Sequence, residues 1–256
     1  MSERQEYPAG VPCWVDVMVP DPAAARAFYG GLFGWEFAVS DGDGYAVGRL
    51  DGRDVAGVGA LEFPSWNTYV RVDRVEEALE RATAAGGTVL VGATDALPAG
   101  RIGVLRDPGG AAIGLWEAGE RAGAQVVNEP NTWTMSSLHV VDTSSAVAFY
   151  REVFGWEPEP FGPITLFRAS GYVGGVEGQP IPRDVVAALA PPDPNVPPHW
   201  NVNFRVADAD AIAAAAAELG GTALMAPFST PGFRNAVLAD PQGAAFSVSQ
   251  LVPGPG

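Results

Sequence analysis

Few side chains in this chain can do covalent or proton-transfer chemistry, and the scarcity narrows the options. None of the fifteen basic residues is a lysine, which removes Schiff-base chemistry and a Walker-type phosphate loop. Cys13 is the single cysteine, so no internal disulfide and no cysteine-rich zinc site can form. No Gly-x-Ser-x-Gly elbow supplies an activated serine. General acid–base catalysis remains, and it needs a group that titrates near neutrality and faces a ligand. If the chain is an enzyme, His139 and Asp16 are the residues expected to move protons, with Arg71 and Arg205 available to steady an oxyanion. His199, which follows Pro197-Pro198, reads instead as a loop or capping residue.

The elements that must position these groups occur twice. Trp14–Phe37 reads WVDVMVPDPAAARAFYGGLFGWEF and Met135–Pro158 reads MSSLHVVDTSSAVAFYREVFGWEP, aligned without a gap at an offset of 121 (14 to 135). The run from Trp66 matches that from Trp200, and the run from Gly100 matches that from Gly232, in the same order. Three ordered blocks mean duplication. Each copy opens with a strand of period two, then a helix announced by an N-capping Asp21 with Pro22 behind it and stopped by Gly34. Ala24, Ala27, Phe28 and Leu32 give that helix its apolar stripe. Glycine-punctuated strands, a fresh strand, a second helix over Val75–Ala85 and further strands complete the order βαβββ, twice per copy. The fold class is α+β. Two tandem modules are expected at 8–120 and 133–252, joined by a linker at 121–132, each a curved mixed sheet around a cavity. A proline-rich insertion at about Gln179–Pro198 reads as a surface loop with one short turn at Val185–Leu189.

Alternation along the strands tells which side chains face the cavities. In the fifth strand Thr68, Val70 and Val72 belong to the helix side, leaving Asn67, Tyr69 and Arg71 on the other. The second copy gives Asn201, Asn203 and Arg205. The last strands add Gly114 and Trp116, then Ser247 and Ser249; the first strands add Trp14, Asp16 and Met18, then Met135, Ser137 and His139. Such a mixture of aromatic plates and hydrogen-bonding groups suits a planar organic ligand better than a sugar phosphate. Cys13 falls on the helix side.

A net charge of −15 repels phosphate backbones and anionic lipid, so the expected partner is a small molecule rather than nucleic acid or a membrane. No stretch approaches a membrane span, and Met1–Gly10 lacks the apolar run of a signal peptide. A cytoplasmic monomer or homodimer is expected.

The pattern of strand, Asp, helix ending Phe-Tyr, then Phe-Gly-Trp, with Asp107-Pro108-Gly109-Gly110 and Asp240-Pro241-Gln242-Gly243 before the last strands, resembles the vicinal-oxygen-chelate superfamily of glyoxalases, bleomycin-resistance proteins and extradiol dioxygenases. Trp14-x-Asp16, Trp66-Asn67 and Gly114-Leu115-Trp116 look like its tandem actinobacterial members. The resemblance implies a metal held at three positions per module. Those positions here are Trp14, Asn67 and Gly114, then Met135, Asn201 and Ser247, and none is His, Glu or Asp. Neither a metal nor another cofactor is therefore expected. Second modules of that type begin Trp-x-Glu, where this chain has Met135-Ser136-Ser137. Three functions stay open: binding of a small hydrophobic or aromatic metabolite or drug, metal-independent acid–base catalysis of a lyase, isomerase or hydroxylase-like kind, and a vestigial interaction module.

Overall fold

A computed structural model of the chain describes residues 3–39, 44–175, 179 and 181–252. The first module runs β1 (Pro12–Val19), α1 (Pro22–Phe33), β2 (Glu36–Val39), β3 (Ala46–Leu50), β4 (Arg53–Ala60), β5 (Ser65–Arg71), α2 (Val75–Ala84), β6 (Thr88–Ala96), β7 (Gly100–Arg106) and β8 (Ala112–Ala118). The second repeats it as β9 (Thr132–His139), α3 (Thr143–Phe154), β10 (Glu157–Phe161), β11 (Ile164–Arg168), β12 (Val185–Leu189), β13 (His199–Arg205), α4 (Ala209–Glu218), β14 (Thr222–Thr230), β15 (Phe233–Ala239) and β16 (Ala245–Leu251). Each module is one eight-stranded sheet, ordered β2-β3-β4-β1-β5-β8-β7-β6 and β10-β11-β12-β9-β13-β16-β15-β14. β1 lies parallel to β4 and antiparallel to β5, and β5 lies parallel to β8, which joins the two βαβββ units at the centre. β9, β12, β13 and β16 repeat that arrangement. The repeat extends to a bulge: β1 skips a residue between Pro12 and Trp14, and β9 skips one between Trp133 and Met135.

Local signals built the helices. The Asp21 carboxylate accepts from the amides of Ala23 and Ala24, and Gly34 ends the helix at φ 73°, a left-handed conformation that glycine adopts without a Cβ penalty. Asp142 and Gly155 do the same for α3. The buried stripe of α1 is Ala25, Phe28, Tyr29, Leu32 and Phe33, so the helix is rotated from the stripe read in the sequence, with Ala24 and Ala27 exposed. The rotation brings Tyr29 inward, where its hydroxyl has partners. Val185–Leu189 is a further correction. It is not a turn in an insertion but strand β12, paired with β9 and β11, because five apolar residues there fill the sheet centre. The extra residues of the second module are the connections on either side of it, at 169–184 and 190–198; Pro180 lies outside the described residues.

The helix sides of the two sheets face one another. β5 meets β13 directly, and the hydroxyls of Thr68 on β5 and Ser136 on the adjacent β9 share a buried 2.7 Å hydrogen bond. The helices flank this contact and cross over: α1 packs on α4, and Phe33 of α1 contacts Phe204 and Phe246 of the second module. Tyr29 accepts from the Trp66 indole at 2.9 Å and donates to Asp240 at 3.1 Å; Tyr150 accepts from Trp200 at 2.9 Å and donates to Asp107 at 2.8 Å. Each Asp-Pro turn thus receives the tyrosine of the other module. The same reciprocity holds for the Phe-Gly-Trp motif, since Trp35 donates to the Asn131 carbonyl and Trp156 to that of Gly10. Buried donors and acceptors satisfied in this way avoid a penalty of about 1–3 kcal/mol apiece. With their backs joined, each sheet keeps its other face clear of the four helices.

Candidate functional site

The face of the first sheet is filled. Trp14, Tyr69 and Trp116 keep 5%, 8% and 7% of their surface, and Asp16 keeps 3%. Tyr45, which precedes β3, reaches over the sheet and donates to Asp16 Oδ2 at 3.1 Å while accepting from the Trp14 indole at 2.9 Å. Asn67 donates to Asp16 Oδ1 at 2.9 Å, and the Tyr69 hydroxyl is bonded to the same carboxyl. Burial pushes Asp16 up to about pKa 6, against the pull of those three hydrogen bonds. Burial likewise raises the Tyr45 and Tyr69 hydroxyls, so they stay protonated donors. Backbone glycines make the filling possible. A Cβ on Gly57, the partner of Asp16 in β4, would overlap the Tyr45 hydroxyl, and one on Gly114 would overlap the Tyr69 ring. Arg121 closes the outer side, with its guanidinium 5.6 Å from the Trp14 ring centre.

The second sheet has the same framework with smaller occupants. Met135, Asn203 and Ser249 stand where the first has Trp14, Tyr69 and Trp116. Register supplies the fourth match. Ala46 pairs with Val58 and Thr165 with Leu189, while Val58 and Leu189 pair with the duplicated residues Val17 and Leu138. Ile164 therefore takes the place of Tyr45. In place of Gly57 and Gly114 stand Ala188 and Ser247. Two indoles and two phenols are replaced by Met, Ile, Asn and Ser, and a cavity of about 240 Å³ opens over this face. Met135, Asn203, Arg205 and Ile164 line it, with Phe233 and Asn235 from β15. Tyr7, Val11 and Pro12 of the first module form part of its wall, as does Tyr172 from the connection before β12. Arg4 holds that connection by donating to the Val173 carbonyl and lying over the Tyr172 ring.

A directed chain of hydrogen bonds crosses the cavity wall. The Asn235 amide donates to Thr230 and its oxygen accepts from Ser249; Ser249, having donated, accepts from the Asn203 amide. That fixes which way Asn203 points. Its Oδ1 is buried and has no partner among the described residues.

Ser137, Asn201 and Ser247 share this face, and Asn201 donates to Ser247 at 2.8 Å. His139 lies at the end of β9, its Nε2 3.2 Å from Ser137 and its ring stacked on His199 at 4.6 Å. Burial first, and the neighbouring His199 second, push His139 down to about pKa 4. Asp16 and His139 sit on different sheets with no partner in common, so the structure does not bring them together. Cys13 is buried with Sγ toward the Tyr69 carbonyl, and burial raises its thiol far above the usual range. The strand reading missed Tyr45, Tyr7, Tyr172 and Phe233, which reach the two faces from loops or neighbouring strands.

The positions that hold a metal in the resembling superfamily carry an indole, a glycine, a thioether, a hydroxyl and two carboxamides. Asn67 is committed to Asp16 and Ser65, and Asn201 to Ser247. Such donors do not fit a transition metal, which needs several firm nitrogen, sulfur or carboxylate ligands. Among the described residues no three His, Cys, Asp or Glu side chains converge elsewhere, and no helix is long and apolar enough to cross a membrane.

Two sheets of paired βαβββ units joined back to back define a tandem vicinal-oxygen-chelate fold. The chain belongs to the glyoxalase-like domain family, which matches residues 14–116 and again 135–249. It is 40% identical to CFP32 of Mycobacterium tuberculosis, provisionally named a glyoxylase, over 99% of each chain. It is 34% identical to the anthracycline biosynthesis protein DauV of Streptomyces sp. strain C5, over 96% of this chain and 94% of DauV. Among solved structures it resembles the Mn(II)-bound glyoxalase of Novosphingobium aromaticivorans, with a TM-score of 0.66, 18% identity, and 94% and 82% of the two chains covered. The 2,3-dioxygenase LapB of Pseudomonas sp. KL28 gives 0.67 at 16% identity, covering 97% and 95%.

Proposed function

We propose that the chain binds a small hydrophobic or aromatic metabolite, without a metal, in the cavity of its second module. The carrying observation is the opened second face: four aromatic side chains of the first are replaced there by smaller ones, and a walled space results. Apolar walls with a few oriented polar groups are the usual make-up of a small-molecule site. At about 240 Å³ the space suits a compact fused-ring compound. The relative named for anthracycline biosynthesis supports the same choice, since anthracyclines are fused-ring aromatics. The carboxamide, thioether and hydroxyl donors at the superfamily's ligand positions support the metal-free part of this reading.

The test is saturable quenching of tryptophan fluorescence by naphthalene and anthraquinone derivatives, with protein prepared in EDTA. Trp133 lines the cavity and serves as reporter. Binding retained in EDTA and lost in Ile164→Trp is the expected result. Absence of saturable quenching across the panel overturns the binding reading, and binding restored only by added metal overturns its metal-free part.

One observation favours acid–base catalysis as a second reading: Asp16, held near neutrality at about pKa 6 beneath Tyr45. Turnover of an aromatic substrate that falls by about two to four decades in Asp16→Asn or His139→Ala would support it. Unchanged turnover in both variants would remove it.

A further inference from the structure

Arginine occupies the same place on both faces, and its surroundings differ. Arg71 is ion-paired with Asp73, two residues further along the chain. The residue that corresponds to Asp73 in the second module is Ala207, and Arg205 has no carboxylate within ion-pair distance among the described residues. One guanidinium nitrogen of Arg205 donates to the Asn128 carbonyl at 2.8 Å, which anchors the side chain against the cavity wall it lines. Two residues away on the same strand, and so about 7 Å along it, Asn203 Oδ1 is the buried acceptor that lacks a donor.

Both groups ask for something the protein does not provide. A buried carbonyl oxygen without a donor is costly, and a ligand hydroxyl removes that cost. A guanidinium at an apolar wall favours an ionised or strongly polarised oxygen, bonded through a charge-assisted contact. The apolar lining supplied by Met135, Ile164 and Phe233 takes the ring system that must connect the two.

We infer that the second-module cavity is specific for acidic hydroxylated aromatics, with Asn203 accepting from a phenolic hydroxyl and Arg205 holding an anionic oxygen of the same molecule. This rests on the reading of the cavity as an aromatic-binding site. It assigns specificity to two residues whose first-module counterparts, Tyr69 and the neutralised Arg71, cannot perform it.

The experiment measures affinities of naphthalene, 2-methoxynaphthalene, 2-naphthol and 2-naphthoate for the full chain at pH 7.5. The wild-type chain binds 2-naphthol at least about tenfold more tightly than its methyl ether, because the ether leaves Asn203 Oδ1 unpaired. It binds 2-naphthoate at least about tenfold more tightly than naphthalene. Asn203→Leu abolishes the first preference and keeps the second; Arg205→Gln does the reverse. The wild-type ligand pairs alone decide the matter should a variant fail to fold. Naphthalenes that bind with either preference missing, or with preferences that survive the matching variant, overturn the assignment and leave the aromatic site standing. No binding of any of the four overturns the site itself.

Discussion

The outward faces of the two sheets began as copies and now differ in what occupies them. The first is sealed by Trp14, Tyr45, Tyr69 and Trp116 around a buried carboxyl, with Gly57 and Gly114 yielding the room. The second carries Met135, Ile164, Asn203 and Ser249 at those places and is hollow. The joined backs, by contrast, kept matching tyrosines, tryptophans and aspartates. One lesson is that side-chain volume at four positions, together with two glycines that make room, separates a filled sheet face from a hollow one on the same strand order. The proposed division, in which the sealed face serves the fold and the hollow face a ligand, can be tested residue against residue.

The largest contrast is expected at the Tyr69 and Asn203 pair. Tyr69→Ala removes a buried aromatic and should cost about 3–5 kcal/mol of stability. Asn203→Ala, at the equivalent place, should cost about 1 kcal/mol or less. Urea denaturation measures both, and equal losses would break the assignment of one face to stability.

Titration should separate the faces with opposite signs. Between about pH 4 and 6 folded Asp16 keeps a proton that the unfolded chain has shed, so its contribution to stability falls as pH rises through that window, on the order of 2–3 kcal/mol in all. His139 runs the other way. Between about pH 4 and 6.5 the unfolded chain takes up a proton that the folded ring refuses, so stability rises with pH. Asp16→Asn is therefore expected to steepen the rise of stability with pH relative to the wild type, and His139→Gln to flatten or reverse it. Denaturation midpoints at pH 4.5, 5.5 and 7 check this; slopes unmoved by either variant would show that neither group is buried as described.

Filling the hollow face in the manner of the sealed one is the next test. Ile164→Tyr should weaken binding of 2-naphthol at least about tenfold, with the modest cost in stability of an overpacked site, about 1–3 kcal/mol. Retained affinity would place the ligand elsewhere. The smallest effect is expected from Ala207→Asp, which gives Arg205 the carboxylate that Arg71 has. Its stability should change by no more than about 1 kcal/mol, while the preference for 2-naphthoate over naphthalene shrinks several-fold.

Much of this architecture was legible in the sequence because its signals are local. The gapless 121-residue offset, the Asp21-Pro22 and Gly34 helix signals and the alternation along β5 and β13 each reflect one backbone period or cap. Asp16, Asn203 and Arg205 were placed on outward faces by that alternation. What escaped were tertiary choices. Tyr45 precedes a short strand, and only the absence of a Cβ at Gly57 hints that something large lies over it. Val185–Leu189 was hidden by the prolines around it, although its own five residues are apolar. The buried stripe of α1, Ala25, Phe28, Tyr29, Leu32 and Phe33, itself follows the helical period; what that period could not disclose is Asp240, the acceptor in the other module that meets Tyr29.

The exchange of tyrosines also imposes an order on biosynthesis. Tyr29 leaves the ribosome early, and its acceptor Asp240 follows 211 residues later. At about 5–20 residues per second, synthesis of that intervening length takes roughly 10–40 s. Once Trp66 has followed, 37 residues after Tyr29, α1 has that indole to hand but still neither the Asp-Pro turn of the second module nor the Phe246 surface that will cover it. The acceptor that finally covers Tyr29 is carried by the same molecule, so the exchange closes within one chain only after the second module has been made.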